Sequence, residues 1–438
     1  MNWLDFFQTT ESTCNINFGR SINATINPNE EELFYKSYEA FEKKEILNAY
    51  QFFFESLITF TKEHSNQNII IERTENELKF EIYQGCAKIT GLITQESLYA
   101  ETIITKTKLA TVALKRYILE RNYQLTYTNY FSDEKYIKLK LYQDNITLTP
   151  QKIFFPLREL ALNSDFDKEH IKSEFSDIIL EDTSHIVLLE NKELEVKYKY
   201  LQLWIEELES KVLTLPSNDN SGMQSFLYLN ILFKIDYLIS PKYKMYQQLS
   251  KKIQEYFGNE NATIEAKNEE FKKYLLTLKE LSFEKFSENF YNAKYTFDPI
   301  EASSYDDIVI FMTESQNKIK WYKSSRYLQI IPTIYNYIAF NTLYNYGMKS
   351  VLRELFHTLV QIQNSSYFSE LGCSSLYNEN NDSFSKRQII SKIKTIVEKA
   401  NDKYKNLVIF TDDLDFSSIN NFSNSYYNIL KNLDFEEI

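Results

Sequence analysis

Three aspartates that follow a short apolar run are the residues best suited to chemistry. Residues 407–410 read Leu-Val-Ile-Phe, and Asp412, Asp413 and Asp415 come shortly after them. Carboxylates at the end of a strand can hold Mg²⁺ or act as nucleophile and acid in phosphoryl transfer. This pattern supports one hypothesis, a metal-dependent hydrolase or phosphoryl-transfer enzyme that uses the three aspartates.

An acidic turn is the second interpretation of the same aspartates. Metal-binding acids at strand ends normally belong to parallel sheets built from βαβ units, whereas the residues before this segment have helical patterns. Acidic side chains also stabilise the start of a helix, here over residues 417–433, through its dipole. We therefore expect no catalytic residue and keep Asp412, Asp413 and Asp415 only as metal candidates.

The rest of the sequence has no catalytic or cofactor-binding motif. None of the four histidines forms an H-x-x-x-H or H-x-H pair. Phosphate-binding loops depend on glycine, and neither G-x-G-x-x-G nor G-x-x-x-x-G-K-[ST] occurs among the seven glycines. No cofactor is expected, and a non-enzymatic role is favoured over an enzymatic one.

Composition limits the classes of partner and the compartment. The net charge of -12 opposes nucleic-acid binding, which draws its affinity from lysine and arginine. Three widely spaced cysteines indicate no disulfide framework, and residues 1–18 lack the apolar core of a secretion signal. Residues 327–348 carry no charge but many polar groups, which favours a buried helix over a membrane span. We expect a cytoplasmic protein.

The order of patterns over residues 68–163 predicts an α+β fold. Four β-like segments, an amphipathic helix, two β-like segments and a second helix follow one another. Residues 77–83 and 136–142 alternate apolar and polar side chains, as in an antiparallel sheet with one wet face. The last helix should begin at Thr149-Pro150 and be kinked or broken at Pro156.

Helical patterns dominate after residue 176 and predict a bundle or irregular array. They cover residues 191–213, 222–239, 241–257, 263–291, 303–324, 327–346, 350–363 and 383–403. Trp204 and Trp321 are expected to pack in the core. The predicted organisation is an N-terminal extension over residues 1–28, an antiparallel-sheet domain over 29–176, in which Asn29 caps the first helix, and an all-helical domain over 177–438.

The wet face of the sheet is the predicted protein-binding surface. Tyrosine and lysine side chains there suit an acidic or extended polypeptide. The expected members are Tyr83, Thr126, Thr128, Tyr130, Tyr136, Lys138, Lys140 and Tyr142. The alternative is that the helical domain covers this face.

The helix, sheet, helix, two-strand, helix order over residues 46–163 resembles the fold of type III secretion chaperones and of YbjN-like domains. The longer layout is similar to an uncharacterised family of bacterial cytosolic proteins. The matching landmarks are Phe18-Gly19-Arg20, residues 81–85 with 88–91, residues 182–186 and residues 195–198. The resemblance implies a chaperone or adaptor that holds extended segments of a client and often forms a homodimer.

Three hypotheses follow. The leading one is a non-enzymatic cytoplasmic protein-binding adaptor or chaperone-like protein. The second is the metal-dependent hydrolase or phosphoryl-transfer enzyme described above. The third is a subunit of a larger assembly, such as a toxin-neutralising or secretion-linked complex.

Overall fold

The fold is α+β, as predicted, with an antiparallel sheet followed by a larger helical region. It is a computed structural model that describes residues 16–19, 30–58, 67–146, 148–175, 177–216, 220–401, 403–409 and 411–436. The predicted cap Asn29 lies outside the described residues. None of the described helices is long and apolar enough to cross a bilayer.

Six strands form the sheet, in the order β1-β2-β3-β4-β6-β5, and every neighbouring pair is antiparallel. They are β1 (Ile69–Arg73), β2 (Leu78–Gln84), β3 (Ala87–Ile93), β4 (Ser97–Lys106), β5 (Asn129–Ser132) and β6 (Tyr136–Asp144). Because side chains alternate along a strand, one face gathers the apolar residues. In β6, Ile137, Leu139 and Leu141 are buried on this inner face.

Four helices belong to the sheet region, and their apolar faces cover the inner side. They are α1 (Glu30–Glu42), α2 (Ile46–Leu57), α3 (Val112–Asn122) and α4 (Pro150–Glu174). The ring of Phe54 in α2 lies 4.6 Å from that of Phe80 in β2. Thr111 starts α3, since its side chain accepts a hydrogen bond from the Leu114 amide.

Pro156 was expected to kink or break α4, and the break does not occur. The helix runs on for 25 residues with Pro156 inside it. Proline lacks the amide that would bond to the carbonyl four residues earlier. That carbonyl, of Lys152, accepts a hydrogen bond from Nε2 of Gln143 at 3.3 Å. The sheet therefore supplies the donor that the helix lacks.

The second half is helical. Its helices are α5 (Asn191–Leu213), α6 (Ser221–Lys234), α7 (Tyr243–Gly258), α8 (Ile264–Lys279), α9 (Phe283–Ser287), α10 (Tyr305–Ser324), α11 (Ile331–Asn345), α12 (Ser350–Gln363), α13 (Ser365–Glu370), α14 (Lys386–Glu398) and α15 (Ile419–Leu430), with a small hairpin of β7 (Tyr377–Asn378) and β8 (Ser383–Phe384). α11 lies at the centre, with Ile334, Ile338 and Phe340 fully buried. This confirms the buried-helix interpretation of the uncharged stretch.

Three expectations about the helical half are wrong. The helix expected over residues 263–291 ends at Lys279, and α9 starts anew because the side chain of Ser282 caps it by accepting from the Lys285 amide at 3.3 Å. Trp321 is 58% exposed, since it lies on the outer side of α10, whereas Trp204 is buried as expected. Cys373 is disulfide-bonded, while Cys86 is free and buried.

A buried polar cluster at the β2–β3 turn joins the sheet to the helical half. The Asp165 carboxylate in α4 accepts a hydrogen bond from the Cys86 amide at 2.8 Å. The Gly85 amide donates to the Lys294 carbonyl at 2.8 Å, and Nζ of Lys168 donates to the Glu181 carbonyl at 2.8 Å. We call this set, residues 84–86 with their partners in α4 and in residues 294–297, the turn cluster.

The side chain of Gln84 completes the turn cluster. Its Oε1 accepts hydrogen bonds from the amides of Thr296 at 3.0 Å and Phe297 at 2.8 Å. Its Nε2 donates back to the Phe297 carbonyl at 3.2 Å. The Phe297 ring then enters the core of the sheet region, 5.5 Å from the ring of Phe154. A segment from the helical half thus fills part of the other core.

Gly85→Ala is expected to lower the free energy of unfolding by about 3 kcal/mol. Gly85 has a φ of +54°, and an added Cβ would lie 2.1 Å from an Asp165 carboxylate oxygen. Gly222→Ala is the control, because its Cβ meets no atom within 4 Å, and it should be neutral or stabilising by up to about 1 kcal/mol. Urea unfolding measures both. Equal stability of the two variants would contradict the importance of this turn.

Candidate protein-binding face

The sheet face opposite the core carries a row of large side chains. The register pairs Leu92 with Tyr99 and Tyr99 with Tyr142 across β3, β4 and β6. Directly opposed residues of antiparallel strands point to the same side. Tyr142 is 66% exposed and Tyr99 is 37% exposed. This outer face therefore presents aromatic surface to solvent.

Lys140 lies beside this row and contacts an aromatic ring. Its Nζ is 4.3 Å from the centre of the Phe131 ring on the edge strand β5. Phe131 is itself exposed. Lys140 makes no ion pair with any described residue. We use the name outer patch for Leu92, Tyr99, Phe131, Lys140 and Tyr142.

Lys138 differs from Lys140, because two carboxylates neutralise it. Its Nζ is 3.0 Å from Glu101 and 3.3 Å from Asp133. Although partial burial opposes the change, these contacts raise the pKa of Lys138. Tyr136, at the start of β6, lies on the same face and is partly buried. Both residues are on the predicted face, and Lys138 is fixed within its own ion-pair network.

Tyr83 lies on the outer face, but the chain covers it. Its ring is 5.1 Å from that of His185, and the Lys294 ammonium lies 5.0 Å above it. Its hydroxyl donates to Glu81 at 2.7 Å. Burial and the Glu81 carboxylate raise the pKa of Tyr83 to about 12. The outer face is therefore closed at the end of β2 and open over β4, β6 and β5.

Tyr130 does not belong to the outer face, and that expectation is wrong. It pairs with Leu139, whose side chain is in the core. Its hydroxyl donates to the buried Asp167 carboxylate at 2.6 Å. Thr126 and Thr128 are also misplaced, since they precede β5 and donate through their amides to Glu159. These hydrogen bonds hold the turn that connects α3 to β5.

The three candidate metal ligands lie in an acidic turn. Thr411–Asp413 forms one 3-10 turn, with Asp412 and Asp413 exposed. The Asp415 carboxylate accepts from the Ser417 amide at 2.9 Å, and hydrogen bonds from Ser417 lower the pKa of Asp415. Across the described ranges, no group of three histidine, cysteine, aspartate or glutamate residues is placed to hold a metal.

The described histidines make packing contacts. His185 donates through Nε2 to the Gly85 carbonyl at 3.0 Å, and His170 stacks on Tyr117 with ring centres 4.6 Å apart. Nδ1 of His357 is 2.8 Å from the Tyr237 hydroxyl, and complete burial lowers the pKa of His357 to about 3. His64 lies outside the described residues. These contacts hold the three described imidazoles in place, while Nδ1 of His185 is buried without a hydrogen-bond partner among the described residues.

A cavity of about 660 Å³ lies between α4 and the segment that precedes α10. Its two arginines already have partners. Arg353 pairs with Asp298 at 2.9 Å, and Arg158 donates to the carbonyls of Asp298 at 3.1 Å and Pro299 at 3.3 Å. These cations hold the loop over residues 298–299.

Sequence reasoning missed Leu92, Tyr99 and Phe131. The sequence does contain a signal for Tyr99, because the apolar residues Leu98 and Ala100 flank it and give β4 an alternating pattern. Which alternating set faces outward depends on strand pairing, and the sequence does not specify that pairing. No protein-family model and no curated protein matches the chain.

Tyr130→Phe is expected to lower the free energy of unfolding by about 1.5–3 kcal/mol, because a buried carboxylate loses a donor. Tyr142→Phe is the matched control and should change stability by less than about 0.5 kcal/mol, since its hydroxyl lies at an exposed position. Denaturant unfolding compares the two. A larger loss for Tyr142→Phe would place Tyr130 outward after all.

Mg²⁺, Mn²⁺ or Ca²⁺ should leave the melting temperature of the protein unchanged, because Asp412 and Asp413 are exposed and Asp415 is engaged in its own turn. Thermal unfolding with and without each cation tests this. A cation-dependent rise that disappears in the Asp412→Asn, Asp413→Asn double variant would establish the metal site instead.

Proposed function

We propose that the protein is a non-enzymatic protein-binding adaptor that docks its partner on the outer patch. The observation that carries this proposal is the Leu92–Tyr99–Tyr142 row on the outer face of the sheet, in which Tyr99 and Tyr142 are exposed and Leu92 is half-buried. Exposed aromatic residues that form a continuous surface are typical of binding sites, and tyrosine contributes much to interface affinity. The described residues include no competing metal cluster.

The chemistry of the outer patch favours an extended segment with an apolar residue next to an acidic one. The tyrosine row offers contact area for the apolar residue. Lys140 offers a cation that makes no direct ion pair with a described residue, whereas Lys138 is held by Glu101 and Asp133. One carboxylate of the partner is therefore the complement of this site.

The expected resemblance to secretion chaperones and YbjN-like domains is compatible with this role. A cytoplasmic location was expected partly because the cysteines indicated no disulfide, and the disulfide at Cys373 removes that support. A homodimer through the same patch is the competing occupant. The charge of -12 per chain opposes it at low ionic strength, because like-charged copies repel. Sedimentation velocity at low and high salt separates a second copy from another protein.

The double variant Tyr142→Ala, Lys140→Gln is expected to weaken partner binding at least about tenfold while the fold is retained. Glutamine is chosen over glutamate because Lys140 lies directly opposite Glu101, and two facing carboxylates would repel each other. Affinity purification from the native cells, with quantified co-purifying proteins, gives the readout.

The matched control is Phe257→Ala, Lys272→Gln, which removes an exposed aromatic ring and an exposed lysine from α7 and α8. The proposal predicts that a near-stoichiometric partner is lost with the first double variant and kept with the control. Retention of the partner by both double variants contradicts the outer patch as the docking site.

A further inference from the structure

The cavity of about 660 Å³ beside α4 has the size of a small-molecule site. Such sites span roughly 300–1,000 Å³ and often lie where two parts of a protein meet. Helices α2 and α4 line this one from the sheet region, and residues within 296–303 and 347–353 line it from the helical half. We call it the junction cavity. None of its described lining residues belongs to the outer patch.

Apolar side chains form most of the wall of the junction cavity. The large ones are Leu57, Phe154, Phe155, Phe297, Ile300 and Met348. Phe155 is 54% exposed, and Ile300 is half-buried. Apolar surface that stays in contact with water favours a ligand that covers it. The wall therefore suits a hydrocarbon group.

Arg158 adds a cation to this apolar wall. It lines the junction cavity and also a second cavity of about 370 Å³. Its Nε and Nη2 donate to the carbonyls of Asp298 and Pro299. Its Nη1 has no acceptor among the described residues, and no described carboxylate forms an ion pair with this guanidinium. Because a guanidinium has five N–H donors, the two on Nη1 remain for a ligand.

The other charges of the junction cavity leave it cationic. The Asp298 carboxylate already pairs with Arg353 at 2.9 Å. Lys349 lines the same cavity. Glu301 is exposed, so water and salt screen its charge. Among the described lining residues, three cations therefore accompany two carboxylates, and an anion is the complementary charge.

We propose that the junction cavity binds an alkyl carboxylate, the chemical class to which fatty acids belong. The carboxylate accepts hydrogen bonds from Nη1 of Arg158, and the alkyl chain lies against the apolar wall. Charge-assisted hydrogen bonds of this kind are stronger than those between neutral groups.

The two features of the cavity together select this class of ligand. A neutral hydrocarbon or alcohol would leave the cation of Arg158 without a matching charge. An inorganic anion would match the cation but would leave the apolar wall in contact with water. A ligand that carries both an anionic group and an alkyl chain satisfies both features.

Calorimetric titration of the full chain with decanoate, 1-decanol and hexanoate tests the proposal. Decanoate should bind at least about tenfold more tightly than 1-decanol, because the alcohol lacks the charge-assisted hydrogen bond. It should also bind at least about tenfold more tightly than hexanoate, which has four fewer methylene groups to bury. A smaller ratio in either comparison, or no binding of decanoate, overturns the proposal.

Three variants locate the bound decanoate. Ala302→Trp adds a large ring at an exposed residue that lines the cavity, and should weaken decanoate binding at least about tenfold. The matched control is Ala266→Trp, at an exposed position of α8 outside the described lining, and it should leave the affinity unchanged.

Arg158→Gln removes the cation and should reduce the affinity for decanoate to that for 1-decanol. Because Arg158 also holds residues 298–299, Ala302→Trp provides the test that removes no hydrogen bond. Circular dichroism checks that each variant is folded. Unchanged decanoate binding by folded Ala302→Trp, or an equal loss with Ala266→Trp, overturns the proposal.

Discussion

The buried turn cluster is the constraint on which the rest of the structure depends. A low-dielectric interior makes every unpaired polar group costly, so the cluster is stable only when all its partners are present. The Asp165 carboxylate and the Gln84 side chain receive amide hydrogens from different parts of the chain. Glu169 likewise accepts from the Tyr291 hydroxyl at 2.6 Å. The sheet region and the helical half therefore supply hydrogen-bond partners to each other.

This dependence reaches the N-terminal segment as well. The Gly19 amide donates to the Tyr237 carbonyl at 2.9 Å, and Phe18 packs 5.0 Å from Phe368 in the helical core. Phe297 makes the reverse crossing, from the helical half into the sheet core. Each half of the chain therefore contributes a residue to the core of the other, across the domain boundary that the sequence predicts at residue 176. We therefore expect the sheet region and the helical half to stabilise each other.

The same packing explains why the outer patch stays open. Helices α2, α3 and α4 use the inner face of the sheet, while His185 and Lys294 reach only Tyr83 at the end of β2. Beyond that contact, no described helix lies over the outer side chains of β4, β6 and β5. The aromatic row is therefore exposed where no described element packs against it. A partner that covered this row would gain hydrophobic free energy, because the apolar atoms of the row would be removed from water.

The sequence predicts the order of elements well, because hydrophobic periodicity and helix-capping residues are local features of the sequence. Alternation marked β2 and β6, and Thr149-Pro150 marked the start of α4. Properties that depend on tertiary partners were not predictable. Tyr130 faces inward because of its register with β6, and the helix continues past Pro156 because Gln143 reaches the freed carbonyl. The acidic turn at Asp412 has a strand-like sequence before it, but no described strand pairs with that segment.

Site-specific photo-crosslinking in the native cells tests the role of the outer patch most directly. A photoreactive phenylalanine analogue replaces Tyr142 in one protein and the similarly exposed Trp321 on α10 in another. The proposed role predicts one dominant crosslinked protein from position 142 and none from position 321. Crosslinking from position 321 alone, or equal and diffuse products from both positions, would contradict it.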